Sequence, residues 1–299
     1  MADANAWKRF LQIFTLTIGA GLMLAGIIFF FAYNWESMHR FAKMGIAVGL
    51  ILAVFGVTML VKMSDTTRKI TNSSLCVLVG LFWAIFGQVY QTDADTYEFF
   101  LTWAVCVAVW VYMADFYPLW TFFIGLVSMG VIPLFPINEW LPTLLMLYTA
   151  AWIAFFIFTP KVLPNRSESP SWFINMLITL EFGIAVFVMC VIIVFGDEGE
   201  SVFMVLVVIG ATIWYALRQK NLWLFTMLFI GGLCVLECLF IKGTNFDFGV
   251  LFFNLIIMTA ALVASAFAIV KQHKKWKQEN LEPSTNQEVI NNGNDQQQQ

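Results

Sequence analysis

Long runs of apolar residues, separated by short polar segments, repeat along almost the whole sequence. A bilayer core about 30 Å thick needs roughly 20 mostly apolar residues in a helix. Ten runs reach or approach this length, and they cover residues 10–32, 42–62, 73–90, 97–114, 117–135, 141–159, 172–195, 201–217, 221–241 and 247–270. The pattern therefore predicts an all-α fold, a polytopic transmembrane helical bundle of about ten spans.

The composition agrees with this fold and excludes several other classes of protein. Hydrophobic residues make up 60% of the 299 residues and charged residues 12%, whereas soluble domains contain about 25% charged residues. The formal net charge is −3, and most of the chain has no face available for a basic surface, which excludes nucleic acid as a partner. The partner that the composition predicts is the lipid bilayer.

Lysine and arginine are distributed unevenly between the predicted connections, and this asymmetry sets the orientation. If the N-terminus is cytoplasmic, 13 of the 16 basic residues lie in cytoplasmic segments. The connections on the other side are acidic, and only Arg40, Lys43 and Lys242 depart from the rule. We therefore expect both termini in the cytoplasm and an even number of spans.

The best internal boundary is the predicted cytoplasmic linker 159–171, which contains three prolines. It separates an N-terminal transmembrane domain with six spans, residues 1–158, from a C-terminal part with four, residues 172–270. An inverted repeat would need an odd number of helices in each half, so a division into five and five stays open. Residues 271–299 begin as a basic segment and continue as an Asn- and Gln-rich cytoplasmic tail, which predicts disorder.

Small residues at a spacing of four indicate which spans pack most closely, because lipid provides no hydrophobic drive between helices. Three of the ten runs carry such rows, namely Gly45, Gly49 and Ala53 in the second, Gly80 and Ala84 in the third, and Ala261, Ala264, Ser265 and Ala268 in the tenth. We expect these three helices in the interior of the bundle.

Polar residues inside the predicted spans are the informative minority, since a charged side chain at mid-helix costs roughly 2.5–3.5 kcal/mol on insertion scales. Glu181 lies near mid-depth, whereas Gln88, Glu237 and Asn254 fall in the outer half, at depths that allow one shared cavity. Two interpretations of Glu237 stay open. It is either a neutral carboxyl hydrogen-bonded to a neighbouring helix, or a cation or proton site.

Two polar segments at the predicted outer surface differ from ordinary loops. The first, residues 29–45, carries Asn34, Trp35, Glu36, Arg40 and Lys43. The second, residues 87–105, carries Gln88, Tyr90, Gln91 and Asp93. Because both segments follow the outer end of a span, we expect them to touch, with Arg40 or Lys43 paired to Glu36 or to a carboxylate of the 93–98 turn. An amphipathic turn pressed into the interface is the alternative explanation for the two basic residues.

These two segments also carry a family resemblance. "AYNW" followed by "FAKMG", and "GQVYQTDAD" followed by "FFLTW", resemble the bacterial membrane-protein family known as domain of unknown function 2157. The resemblance covers about residues 7–150. It implies a multi-pass protein of the bacterial cytoplasmic (inner) membrane, and it brings no established activity and no catalytic residues.

The arrangements that usually mark catalytic or metal sites do not occur in the sequence. We find no Ser/His or Cys/His arrangement, no metal-ligand cluster and no glycine-rich phosphate loop, so enzymatic activity is disfavoured and no cofactor or metal is expected. The cysteines lie inside apolar runs, and we interpret them as small apolar fillers. They are Cys76, Cys106, Cys190, Cys234 and Cys238.

Three functional hypotheses follow. The first, which we favour, is the binding or handling of an amphiphilic, envelope-related ligand, such as a lipid-linked precursor, in an outward-facing polar and aromatic cavity. That cavity would be lined by Asn34, Trp35, Glu36, Gln88, Tyr90, Gln91, Asp93, Glu237 and Asn254. The second is a non-catalytic sensor or scaffold subunit that holds another membrane protein. The third is an interfacial membrane enzyme.

Overall fold

Every predicted apolar run forms a helix. The structure, a computed structural model, describes residues 4–91, 94–137, 140–162, 168–195, 201–243 and 248–296. The helices in these ranges are α1 (Ala4–Tyr33), α2 (Arg40–Leu60), α3 (Asp65–Tyr90), α4 (Thr96–Ala114), α5 (Tyr117–Val131), α6 (Leu141–Val162), α7 (Ser171–Phe195), α8 (Ser201–Arg218), α9 (Leu222–Gly243) and α10 (Phe248–Gln296). All ten are long and apolar enough to span a membrane, and the described ranges contain no strand. The predicted fold class is confirmed, while the side on which the termini lie stays a prediction.

Capping explains why α3 begins well before its apolar run. The side chain of Ser64 accepts a hydrogen bond from the backbone N–H of Thr67 at 3.2 Å, which satisfies one of the free donors of the first turn. Asp65 in that turn pairs with Arg68 at 3.1 Å and with Lys69 at 2.9 Å. The first two turns of α3 are therefore polar and self-contained, and the hydrocarbon-spanning part follows them.

Contacts divide the chain into two units, Met1–Phe135 and Pro136–Gln299. The first contains α1 to α5 and the second α6 to α10. Helix α6 packs on α7 and α8, so its contacts lie with the second unit, although the predicted boundary at residue 159 assigns it to the N-terminal part. The division into five and five that the sequence left open agrees with these contacts.

Helix α10 ends at Gln296 and so continues through the polar tail for which the sequence predicts disorder. The disorder of that tail, like the predicted domain boundaries, stays a prediction.

Helix α3 is the centre of the first unit, where it packs against α1, α2 and α4. Its Gly80 lies directly under the indole of Trp103, so a Cβ at this position would overlap that ring. The indole N–H of Trp103 donates a hydrogen bond of 2.8 Å to the carbonyl of Cys76. Gly80 thus allows a close approach of α3 and α4 that the hydrogen bond then fixes.

Helix α7 is the centre of the second unit, where it packs against α6, α8 and α9. The shared core contains Met146 from α6, Ala185 and Val188 from α7, and Val205 from α8. On the opposite side, a Cβ at Gly231 of α9 would lie 2.6 Å from the ring of Phe182. A glycine therefore brings α9 close to α7, as Gly80 does for α3 and α4.

The small-residue rows predicted the interior only in part. Helix α3 is central, as expected, but a Cβ at Gly45 or Gly49 of α2 would meet nothing within 4 Å. The prediction that α10 lies in the interior is wrong. This helix packs along α9, and among residues 252–278 only Asn254 and Trp276 are buried. The central position of α7 was not predicted from the sequence. Apolar residues surround this helix, and no row of small residues indicates which face packs against its neighbours.

Candidate functional site

The first predicted polar segment forms the connection between α1 and α2. Asn34 donates its side-chain amide to the carbonyl of Phe30 at 2.9 Å and so extends the end of α1. Lys43 lies one turn into α2 and is only 8% exposed, and its ammonium sits 3.7 Å from the centre of the Trp35 ring. A desolvated ammonium over an indole is a favourable cation–π contact of up to about 2 kcal/mol.

The second polar segment lies beside the first. Trp35 and Val89, from the two segments, pack against the same buried cluster of Phe31, Ala47 and Ile85. The two segments thus contribute side chains around one cluster. The expectation that they touch, with a basic side chain beside a carboxylate, stays a prediction. We call this region, the ends of α1 and α3 and the start of α2, the Trp35 end.

The polar side chains of the Trp35 end are arranged around this apolar contact. Glu36, Gln88, Tyr90 and Gln91 are exposed, and Gln91 ends α3 in the left-handed conformation with φ of 45°. Asp93 lies outside the described residues.

The basic residues of the Trp35 end contact aromatic rings. Arg40 lies over the ring of Phe41 at 5.1 Å, and Lys43 rests on Trp35. Within the described ranges, neither Arg40 nor Lys43 takes part in an ion pair of the kind that Asp65 forms with Arg68 and Lys69. A pairing with Asp93 stays a prediction.

Glu237 and Asn254 meet in the second unit. The amide of Asn254 donates a hydrogen bond of 2.8 Å to Oε1 of Glu237, and this bond joins α10 to α9. Oε2 of Glu237 is buried and has no hydrogen-bond partner among the described residues. The contact is the interhelical hydrogen bond that the sequence left open as one interpretation. That these two residues share a cavity with Gln88 stays a prediction.

Glu181 lies in the interior of the second unit. It is 4% exposed, and neither carboxyl oxygen has a hydrogen-bond partner within the described part of the chain. Its neighbours on the same face of α7 are apolar, with Leu177, Ile178 and Ala185 all buried. That Glu181 lies near mid-depth in the membrane stays a prediction.

A groove lies between α1, α2 and α3 in the first unit, and the sequence did not predict it. The three helices meet at the Trp35 end, and away from that end a space of about 1250 Å³ opens between them. Its lining runs along α1 from Arg9 to Ile27, a length of about 27 Å at 1.5 Å per residue. We call this cavity the Arg9 groove.

The two halves of the Arg9 groove differ in polarity. Toward the start of α1 and α3 the lining is polar, with Arg9, Gln12, Thr15, Ser64, Thr67 and Thr71. Farther along it is apolar, with Leu16, Met23, Leu24, Ile27, Val54 and Leu78. A polar end joined to a long apolar wall matches the shape and polarity of an amphiphile.

The charge of the polar end is positive. Arg9 is the charged residue of the lining, it is exposed, and no carboxylate of the described residues pairs with it. Asp65, close in sequence to Ser64, is already engaged by Arg68 and Lys69. The first turn of α3, capped by Ser64, adds the partial positive charge of a helix N-terminus. An anion is therefore favoured at this end of the groove.

The sequence did contain a signal for the Arg9 groove. Polar residues of the first span recur at Arg9, Gln12 and Thr15, three residues apart and so near one face of a helix. Hydroxyl residues recur similarly in the first turns of α3, at Thr67, Thr71 and Ser74. Both rows lie at the ends of spans, where polar residues are common, so the rows did not by themselves indicate a site.

A metal centre has no counterpart in the described ranges, where no group of three or more His, Cys, Asp or Glu side chains is placed to hold an ion.

Comparison with known proteins agrees with the resemblance seen in the sequence. Residues 2–120 match the family model described as "Predicted membrane protein (DUF2157)". The match includes both polar segments and all helices that line the Arg9 groove, and it confirms the resemblance over this part of the predicted range. No curated protein and no solved structure is significantly similar to the chain.

Proposed function

We propose that this multi-pass membrane protein is a non-catalytic binder of an amphiphile with an anionic headgroup. The headgroup lies at Arg9, and an acyl chain follows the apolar wall formed by α1, α2 and α3. The observation that carries this proposal is the division of the groove into a positively charged hydroxyl-rich end and a long apolar wall. The family resemblance supports the cytoplasmic membrane of a bacterium as its location.

The energetics place the selectivity at the polar end. An acyl chain in the groove exchanges lipid neighbours for protein side chains that are about equally apolar, so burial of the chain provides little net drive. Charge-assisted hydrogen bonds to a headgroup contribute about 1.5–3 kcal/mol each. Arg9 and the hydroxyls of Ser64 and Thr67 are therefore expected to decide which lipid is retained.

The Trp35 end is the second candidate site, for an amphiphile with a different headgroup. It is supported by the exposed polar groups Glu36, Gln88 and Tyr90 around a fixed aromatic contact, Trp35 with Lys43. The aromatic rings and carboxylates of this end suit a cationic or sugar-bearing headgroup. The role of a sensor or scaffold subunit is the alternative in which a protein partner occupies this surface.

Native mass spectrometry of the purified protein with co-extracted lipids tests the proposal. Gly19 lines the groove, and a Cβ there would meet nothing within 4 Å, so Gly19→Leu directs a side chain into the groove from an unobstructed position. We expect Gly19→Leu and Arg9→Gln each to lower the occupancy of a bound anionic lipid about tenfold, which corresponds to about 1.4 kcal/mol. Gly45→Leu is the matched control, because its Cβ is equally free and it lies outside the groove.

The alternatives predict different results in the same experiment. Loss of the lipid from Glu36→Ala and Gln88→Ala, but not from Gly19→Leu, would place the ligand at the Trp35 end and refute the groove. A lipid population that no variant changes would be ordinary annular lipid, and it would refute amphiphile binding as the function. A protein that co-purifies without any lipid preference would favour the scaffold.

A further inference from the structure

Three cysteines of the second unit lie together between two neighbouring helices. Cys190 on α7 lies close to Cys238 on α9, and Cys234, one turn earlier on α9, lies near the same thiol. All three are free thiols. The sequence indicated only apolar fillers, because nothing in the spacing along the chain relates position 190 to position 238.

The packing of α7 and α9 explains this contact independently. The two helices run in the same direction, since the amide of Asn221 before α9 bonds Asn175 near the start of α7, and Gly231 packs against Phe182 farther along. From Phe182 to Cys190 is eight residues, and from Gly231 to Cys238 is seven. Parallel helices keep their register over such a distance, so the two cysteines come to the same level.

The two helices approach each other closely at Gly231. Gly231 leaves no side chain between α9 and the ring of Phe182, and glycine contacts of this kind allow helix backbones to approach most closely. A disulfide needs Cβ atoms about 3.5–4.5 Å apart, a separation that facing cysteines on two closely packed helices can reach. The thiols also border the bilayer, because Cys234 is exposed and Cys190 and Cys238 are partly exposed on helices that span it.

We propose that Cys190 and Cys238 are the site of a reversible disulfide that links α7 to α9. The oxidant is a lipid-soluble quinone, which reaches the thiols from the bilayer. Two S–H bonds break and one S–S bond forms, and the two electrons and two protons reduce the quinone to the quinol. This proposal does not rest on the lipid-binding function of the first unit.

Counting thiols tests the disulfide in the full-length protein. Membranes carrying the protein are treated with tetramethyl-benzoquinone, which is fully substituted and does not alkylate thiols, and are then denatured and labelled with a polyethylene-glycol maleimide. The untreated chain should carry five labels, one for each free cysteine, and the oxidised chain three. Treatment with dithiothreitol before labelling should restore the five labels.

Serine variants identify the pair. Cys190→Ser and Cys238→Ser should each carry four labels with or without the quinone, whereas Cys106→Ser, the control from the first unit, should fall from four to two. Alanine at positions 190 and 238 gives the same readout without a new hydroxyl. Five labels on the oxidised wild type would overturn the proposal. So would a requirement for Cys234 in place of Cys238, or a disulfide-linked dimer on a non-reducing gel.

Discussion

Lys43 shows how the protein accommodates a basic residue on the side of the membrane where few lysines and arginines are expected. It lies on the predicted outer side, where lysine is rare, and it is 92% buried beside Trp35 rather than solvated. The indole face replaces part of the lost hydration, at about 2 kcal/mol for a desolvated contact. The residue is thus part of the packing between the α1–α2 connection and the start of α2, and it need not act as an orientation signal.

At the same scale, Gly80 gives a direct test of close packing. Gly80→Ala places a methyl group against the fixed indole of Trp103, and overpacking of this kind costs about 1–3 kcal/mol. We expect a lower thermal unfolding midpoint in detergent, measured by circular dichroism. Gly49→Ala is the matched control, because its Cβ meets nothing within 4 Å, and its midpoint should stay equal or rise. Equal midpoints for the two variants would show that Trp103 is not fixed in place.

Among the elements, α10 is held to its unit by two contacts of different kinds. The hydrogen bond from Asn254 to Glu237 joins it to α9 near one end of the span, and the ring of Trp276 packs on Phe225 at 5.5 Å near the other. Interhelical hydrogen bonds in membranes average about 0.6 kcal/mol and reach about 1.7 kcal/mol. Such a bond stabilises the docking of α10 modestly and fixes its rotation about its own axis.

Removing that hydrogen bond should loosen α10 without unfolding the unit. In Asn254→Ala, we expect faster hydrogen exchange of the α10 backbone near residue 254, by about threefold, as a loss near 0.6 kcal/mol implies. Thr259→Ala is the control, because the Thr259 hydroxyl bonds only to Leu255 of its own helix, and its exchange should match the wild type. Exchange that rises equally in both variants would mean that the Asn254 bond does not hold the helix.

The elements were largely predictable from the sequence, and their contacts were not. Each span needs only its own apolar residues to satisfy the bilayer, so the pattern along the chain determines where α1 to α10 lie. Which helix occupies the centre depends on pairs far apart in sequence, such as Phe182 with Gly231. A row of alanines suggested α10 for the interior, and nothing in the sequence of α7 indicated that it packs against α6, α8 and α9.

The candidate site was likewise predictable only in part: single residues could be recognised from the sequence, but their arrangement could not. Individual polar residues were recognisable because charge and amide groups are rare in the spans, and the pair Glu237–Asn254 did meet. The Arg9 groove could not be recognised from the sequence, because a groove lies where the side chains of neighbouring helices are not in contact. Its position depends on how three helices converge at the Trp35 end and separate beyond it, and no single segment encodes that separation.

At the scale of the whole molecule, the orientation in the membrane follows from the distribution of basic residues and has a simple test. Ser37 and Ser64 are both exposed and lie in the short connections at opposite ends of α2. With the predicted orientation, Ser37→Cys should react in intact cells with a membrane-impermeant maleimide, and Ser64→Cys only after permeabilisation. The unsubstituted chain is the blank, because all five native cysteines lie in the spans.

The reverse labelling pattern would place the termini outside and move the Arg9 groove to the opposite leaflet. Labelling of both variants in intact cells would mean that the protein inserts in two orientations.

The Arg9 groove is walled on one side by α1, whose only buried residue between positions 6 and 33 is Phe31. A molecule in the groove is thus separated from the surrounding lipids by little or no protein, and it arrives and leaves by lateral diffusion in two dimensions. Its availability is then its mole fraction in the bilayer, which dilution of the sample with buffer does not change. Occupancy becomes a readout of membrane composition, and titrations are to be made by mixing lipids.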